Sequence, residues 1–276
     1  MSVNSIAERQ KELKMILGKY SANTVFIHSD LFRSSLFIKP SMNREAVINN
    51  QLNFLGTILE GRDLWFPAFN YQFPNTKTFN VKTSICEVGP LPEYFRQHKA
   101  QWRTLDPIFS ASGTGENPFL SVPRDKIVAF DNNSAFAHLV KNKGSLLFYG
   151  AGFTSATILH YAEQIVTPLY RYDKTFNGTI IIDCHQYSVD YTYHVRPFGC
   201  NLDYAWDKLL KDLQTEGIAY SLKNNIATII SSDALVTYWL EQLNEDPFYF
   251  LNEQSKKWVI PKIDQLGRRF QLEDFE

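Results

Sequence analysis

The stretch 149–163, YGAGFTSATILHYAE, leads from the end of an apolar strand (SLLFY, 145–149) through two closely spaced glycines into a helix predicted over 155–166. Strand, glycine turn and helix in that order form a βα unit, and α/β proteins place ligands at such junctions. The same alternation extends to both sides. Helical spacing of Ile6, Leu13, Ile16 and Leu17 predicts a helix over 5–19, and a short apolar strand over 24–27 then ends at His28 and Ser29. A helix over 44–59 precedes a strand over 63–69 broken at Pro67. Downstream come a proline-opened helix over 90–98, a strand over 125–130, a helix over 134–141 and a β-branched strand, TIIID, over 179–183. A helix over 202–215 stopped by Gly217, a hairpin over 218–230 around Lys223, Asn224 and Asn225, and a helix over 234–243 complete the series. The pattern predicts an α/β fold: one compact domain over 1–276, with a central mixed β-sheet flanked by helices, a core of about 24–250 and a C-terminal tail. Segment 106–123, rich in Ser, Gly and Pro, is expected to be a loop long enough for ligand contact.

Composition narrows the partners. A formal net charge of -1 supplies no basic field for nucleic acid or anionic lipid. The polar, mixed-charge start MSVNSIAERQKELKMILGKYS lacks the apolar centre of a signal peptide, so a cytoplasmic protein without a membrane span is expected. Cys86, Cys184 and Cys200 are odd in number and far apart, which predicts reduced thiols. No metal site is expected, because histidines and cysteines do not converge at ligand spacing. A homodimer is left open.

Thr157, His160 and Glu163 fall three residues apart, so a helix would carry a hydroxyl, an imidazole and a carboxyl on one face, with Thr154 or Ser155 as N-cap. An imidazole titrates near neutrality and can take a proton from an amine if a carboxylate or carbonyl orients its other nitrogen. Spacing alone also allows a structural, hydrogen-bonded histidine. A serine hydrolase would need a GxSxG elbow, which GAGFTSA does not supply.

Four ordered segments resemble the aminoglycoside 3-N-acetyltransferase (antibiotic N-acetyltransferase) family. They are VFIHSDLFRSS (25–35), LWFPAFNYQF (64–73), GPLPEYFRQHKAQWRTLDPIFSASGTG (89–115) and LLFYGAGFTSATILHYAE (146–163). The resemblance implies acetyl-CoA, or another acyl-CoA, as cosubstrate and direct acyl transfer to the nitrogen of an amino sugar, without a covalent enzyme intermediate. His160 matches the family's catalytic histidine, and Glu163 and Asp190 are the candidate acidic groups beside it. His28, Ser29, Asp30 and Arg33 of the first turn, with Ser110, Ala111 and Gly113 of the loop, match the region that holds CoA. Tyr71, Asp106 and Thr157 are the candidate substrate contacts. Two positions depart from the antibiotic-modifying pattern: Asp106 stands where a histidine usually precedes the proline, and Thr154 where an aspartate is common. The acidic partner expected beyond TIIID has two contenders in DYTYHVR (190–196), Asp190 and His194. The acceptor is thus an amino sugar of polysaccharide synthesis or an aminoglycoside antibiotic, and a non-catalytic CoA- or sugar-binding relative is the alternative from another class.

Overall fold

The computed structural model describes residues 3–121, 124–197 and 202–276. The strands in chain order are β1 (Thr24–Ser29), β2 (Asp63–Pro67), β3 (Thr78–Asn80), β4 (Trp102–Arg103), β5 (Ala111–Gly113) and β6 (Lys126–Val128). They continue with β7 (Ser145–Tyr149), β8 (Tyr172–Ile182), β9 (His185–Val195), β10 (Ala219–Ser221) and β11 (Ala227–Ser231). Seven of them form one mixed sheet in the order β10-β11-β7-β1-β2-β5-β4. Its centre, β7-β1-β2, is parallel, and the flanking pairs are antiparallel. Parallel strands need both faces covered, and β7 obliges with five buried residues in a row. Successive side chains divide between the faces. Val25, Ile27, Leu147 and Tyr149 pack with the helices Val3–Leu17, Arg44–Ile58 and Pro90–His98, whereas Phe26, Leu146 and Phe148 join the larger core on the other side.

A second sheet, β3-β8-β9-β6, lies beside the first in the same core. Its spine is an eleven-residue antiparallel hairpin pairing Tyr172 with Val195 and Ile182 with His185. The TIIID strand is therefore the second half of β8. Gly178, which interrupts the sequence pattern, sits inside the strand because a Cβ there would come within 2.6 Å of Lys77 O and 2.7 Å of the Phe73 ring.

Other boundaries also shift. The helix expected over 155–166 is a 3₁₀ turn, Phe153–Ser155, followed by an α-helix, Leu159–Val166. The helix expected over 202–215 begins at Trp206. Segment 106–121 is not wholly a loop, since it contributes β5, and positions 122–123 lie outside the described residues. Beyond residue 250 the chain forms a further helix, Glu253–Leu266, and buries Val259, Ile263 and Phe270. Cys86 and Cys184 are free thiols, and Cys200 lies outside the described residues. Among the described residues no helix is long and apolar enough to cross a membrane.

Candidate active site

The turn after β7 is set by Gly150. Its φ is +75°, and a Cβ would come within 2.6 Å of Ser34 N and 2.7 Å of Asp30 O, so only glycine lets the ends of β1 and β7 close up. Asp30 N donates to Tyr149 O across that gap. The chain then rises into the Leu159–Val166 helix without the expected side-chain N-cap. Ser155 Oγ donates to Gly152 O instead, and Thr157, which precedes the helix, donates its hydroxyl to Ser155 O. His160 and Glu163 do share a helix face, one turn apart.

Glu163 is fully buried and holds the centre of a polar cluster. Its Oε2 accepts from His160 Nδ1 at 2.8 Å and pairs with Arg171 Nε at 2.7 Å. Its Oε1 accepts from the hydroxyls of Tyr204 at 2.8 Å and Tyr170 at 3.0 Å. His194 Nε2 lies 3.6 Å from Oε2, while its Nδ1 contacts Gln164 Oε1 at 2.6 Å. Arg171, equally buried, donates Nη1 to His194 O at 2.8 Å and Nη2 to the Tyr204 hydroxyl. A buried carboxylate costs several kcal/mol unless paired and hydrogen-bonded. Here burial opposes ionisation, but Arg171, the hydrogen bond from His160 and the nearby His194 ring prevail and hold Glu163 well below the usual carboxylate range.

This geometry fixes the tautomer of His160. A carboxylate only accepts, so Nδ1 carries the proton and Nε2 keeps the lone pair. Arg171 Nη2 lies 3.2 Å from the same Nδ1. Two donors cannot bond each other, so that contact acts through charge. Burial, reinforced by Arg171, lowers the His160 pKa below its ordinary value although Glu163 pulls the other way. The ring is neutral at pH 7. Phe130, 5.5 Å from that ring, has a φ of 60°, an uncommon conformation for a bulky residue and a sign of local strain beside the site. The three groups His160, Glu163 and His194 also converge closely enough to suggest metal ligation. The Glu163 oxygen that would bind an ion already faces Arg171, whose guanidinium supplies the positive charge.

His160 opens into a cavity of about 900 Å³ walled on one side by β8 and β9. Aromatic side chains of Tyr71, Phe109, Tyr193, Tyr204 and Trp206 give it flat surfaces suited to a sugar ring. Thr154, in the turn that follows β7, also lines this cavity.

Of the residues singled out by sequence, His160, Glu163 and Tyr71 meet at this place, Tyr71 on the cavity rim and half exposed. Asp190 does not: it is an exposed residue of β9 and accepts from Asn177 Nδ2 at 2.6 Å. His194, the other contender, is the one in the cluster. Asp106 lines a separate small cavity behind Phe109, where its Oδ1 accepts from Ile108 N and Phe109 N and burial raises its pKa to about 6. Ser110, Ala111 and Gly113 are buried in and beside β5. Ser110 Oγ donates to Ala68 O and accepts from Arg103 Nε. Arg103 also donates to the carbonyls of Val81, Ser84 and Ala68, which makes it a structural clamp.

His28, Ser29 and Asp30 gather at the carboxyl end of β1. His28 stacks on Phe148 at 5.1 Å, and burial pushes its pKa down to about 3. Asp30 caps the short Leu31–Ser34 helix by accepting from Arg33 N, and Arg33 donates to the carbonyls of Asn224 and Asn225. Sequence reasoning missed Arg171, Tyr170 and Tyr204 altogether. The alternation of Val189, Tyr191, Tyr193 and Val195 with polar residues marks β9 as a half-buried strand, but it points to none of these three.

The family described as aminoglycoside 3-N-acetyltransferase matches residues 62–244. Solved structures with the same fold include the aminoglycoside acetyltransferase AAC(3)-IVa, as a histidine-to-alanine variant in complex with a gentamicin, with a TM-score of 0.63 at 22% identity over 88% of this chain and 91% of that one. AAC-IIIb in binary complex with CoASH gives a TM-score of 0.66 at 15% identity, covering 86% and 96%. The YokD protein from Bacillus subtilis gives 0.66 at 16% identity, covering 88% and 98%. No curated protein sequence matches the chain.

Proposed function

Because the chain belongs to the aminoglycoside 3-N-acetyltransferase family, whose members are acetyl-CoA-dependent acyltransferases, we propose that it moves an acetyl group from acetyl-CoA to an amine of an amino sugar, with His160 as general base. The observation that carries this reading is the His160–Glu163–Arg171 arrangement opening on the large cavity. His160 Nε2 takes the acceptor's proton as the amine nitrogen attacks the thioester carbonyl. The C–N bond forms, the C–S bond breaks, and the CoA sulfur leaves as a thiolate that is protonated on release. Glu163 steadies the imidazolium formed in this step, as a buried carboxylate does for a catalytic histidine. Arg171 keeps Glu163 ionised beforehand.

Acyl-CoA fits the crevice at the carboxyl ends of β1 and β7. The chain leaves β1 toward β2 on one side and returns as β7 on the other, and such switch points collect ligands. Ser29 Oγ and His28 Nε2 are buried there without a hydrogen-bond partner among the described residues. The structures of relatives bound to CoASH and to a gentamicin support a two-substrate site of this kind.

Thiol release from acetyl-CoA across a panel of amino sugars and aminoglycosides tests the proposal. Substituting His160→Ala is expected to lower kcat by roughly 10²–10⁴-fold with little change in folding. Undiminished turnover in that variant, or no thiol release with any amine, would overturn it.

A further inference from the structure

We infer that the acyl acceptor carries a negatively charged group, a phosphate or a carboxylate, which the cavity binds on the wall formed by Lys77, Lys174 and Arg196. The inference rests on reading the His160 cavity as the acceptor site and goes on to name the class of acceptor.

A polycationic aminoglycoside calls for carboxylates around its amines. This cavity presents the opposite. Four cationic side chains line it, Lys77, Arg171, Lys174 and Arg196, against one carboxylate, Asp203. Arg171 is neutralised by Glu163 beneath it, and Lys174 is paired with Glu276. Lys77 and Arg196 have no carboxylate within ion-pair distance among the described residues.

The cations are also gathered. The ammonium groups of Lys77 and Lys174 both lie against the ring of Phe176, 5.2 and 5.6 Å from its centre. Lys174 is directly opposite Tyr193 in the β8–β9 ladder, and the Tyr193 ring stands 6.4 Å from His160. A molecule seated on Tyr193 with its amine at His160 therefore reaches Lys174 at its far side. Lys77 holds a φ of 55° at the end of a single helical turn, a conformation that non-glycine residues adopt at a cost, and it projects into the cavity from there. Arg196 follows from the end of β9 and is anchored by donating Nη1 to Leu202 O. With Lys174 shared with Glu276, the ammonium of Lys77 and the guanidinium of Arg196 lead this wall, and the three cations around one opening suit an oxyanion with several acceptor oxygens.

Phosphate oxygens come from two sources in this reaction, the acceptor and CoA itself, and the test separates them. Thiol release from acetyl-CoA is measured with glucosamine, glucosamine 6-phosphate, a nucleoside-diphosphate-linked amino sugar and gentamicin. At least one anionic acceptor is expected to exceed glucosamine in kcat/KM by roughly tenfold or more, an advantage that shrinks as ionic strength rises. Lys77→Asn removes one charge and suits the left-handed backbone, and the double variant Lys77→Glu/Lys174→Glu reverses two. Both are expected to raise KM for the anionic acceptor by roughly tenfold or more while KM for acetyl-CoA stays within about twofold. A rise confined to acetyl-CoA would mean that the wall holds CoA phosphates and would overturn the inference. Turnover of glucosamine or gentamicin without any preference for anionic acceptors would overturn it while leaving the acetyltransferase reading intact. Silence with every amine would remove both.

Discussion

Two histidines, His28 at the end of β1 and His160 on the helix that follows β7, have different prospects. His28, at the end of β1, lies between Phe26 and Phe148, and its Nε2 has no partner among the described residues. His160, one glycine turn beyond β7, has a carboxylate on Nδ1 and an open cavity before its other nitrogen. Burial lowers the pKa of both. Only His160 has a group ready to stabilise the charged form once a proton arrives. Burial alone makes a histidine neutral, and a paired carboxylate makes a neutral histidine a usable base.

The comparison is broken most severely by removing the carboxylate. Glu163→Ala leaves Arg171 buried without its counter-charge, and a loss of about 3–5 kcal/mol in folding stability is expected, together with loss of turnover. Urea unfolding of this variant beside His160→Ala checks it, since the latter should unfold near the wild-type midpoint. If Glu163→Ala is as stable as the parent, the cluster does not hold the fold together.

A pH effect of intermediate size follows from the histidines. Unfolded imidazoles take up a proton near pH 6.5, whereas in the fold His28 resists until about 3 and His194 until about 4. Unfolding thus binds protons between these limits, so stability present above about 6.5 is lost as pH falls. Glu163 adds to the loss below the ordinary glutamate pKa, because its folded value is depressed. Melting temperatures are expected to be level near pH 7–8 and to fall steadily in acid. A melting temperature that rises on acidification would contradict the neutral, buried state of these rings.

The smallest effect is expected at the other histidine. His28→Leu replaces an unpartnered buried imidazole with an apolar side chain of similar size, and stability should stay within about 1 kcal/mol of the parent or improve. Steady-state kinetics then sharpen the contrast: a severalfold rise in KM for acetyl-CoA would make His28 a CoA contact, and an unchanged value would make it packing.

Elements whose physical periodicity is local were legible in the sequence. The strands at the centre of the mixed sheet, the Pro90–His98 helix and the hairpin at Lys223–Asn225 follow from short apolar runs, an opening proline and turn-forming asparagines. His160 and Glu163 were legible together because a helix brings residues three apart onto one face. The second sheet was only half visible. Gly178 looks like a break in the chain pattern, yet it is the close approach of Lys77 and Phe73 that excludes a side chain there. With β8 truncated, nothing pointed to Arg171 at its start.

Sequence by itself determined the alternation of strands and helices, the glycine turn after β7 and the imidazole–carboxylate pair on the helix that follows. Each depends on neighbours within a few residues. Only the tertiary structure decided that Glu163 meets Arg171, Tyr170 and Tyr204, that His194 rather than Asp190 lies at the cluster, and that lysines from distant segments face one cavity. Those relations are set by strand register across the β8–β9 hairpin and by packing between the two sheets. No spacing along the chain encodes them: a one-residue slip in register would turn Lys174 and His194 to the opposite face, and the other partners come from segments far apart in sequence.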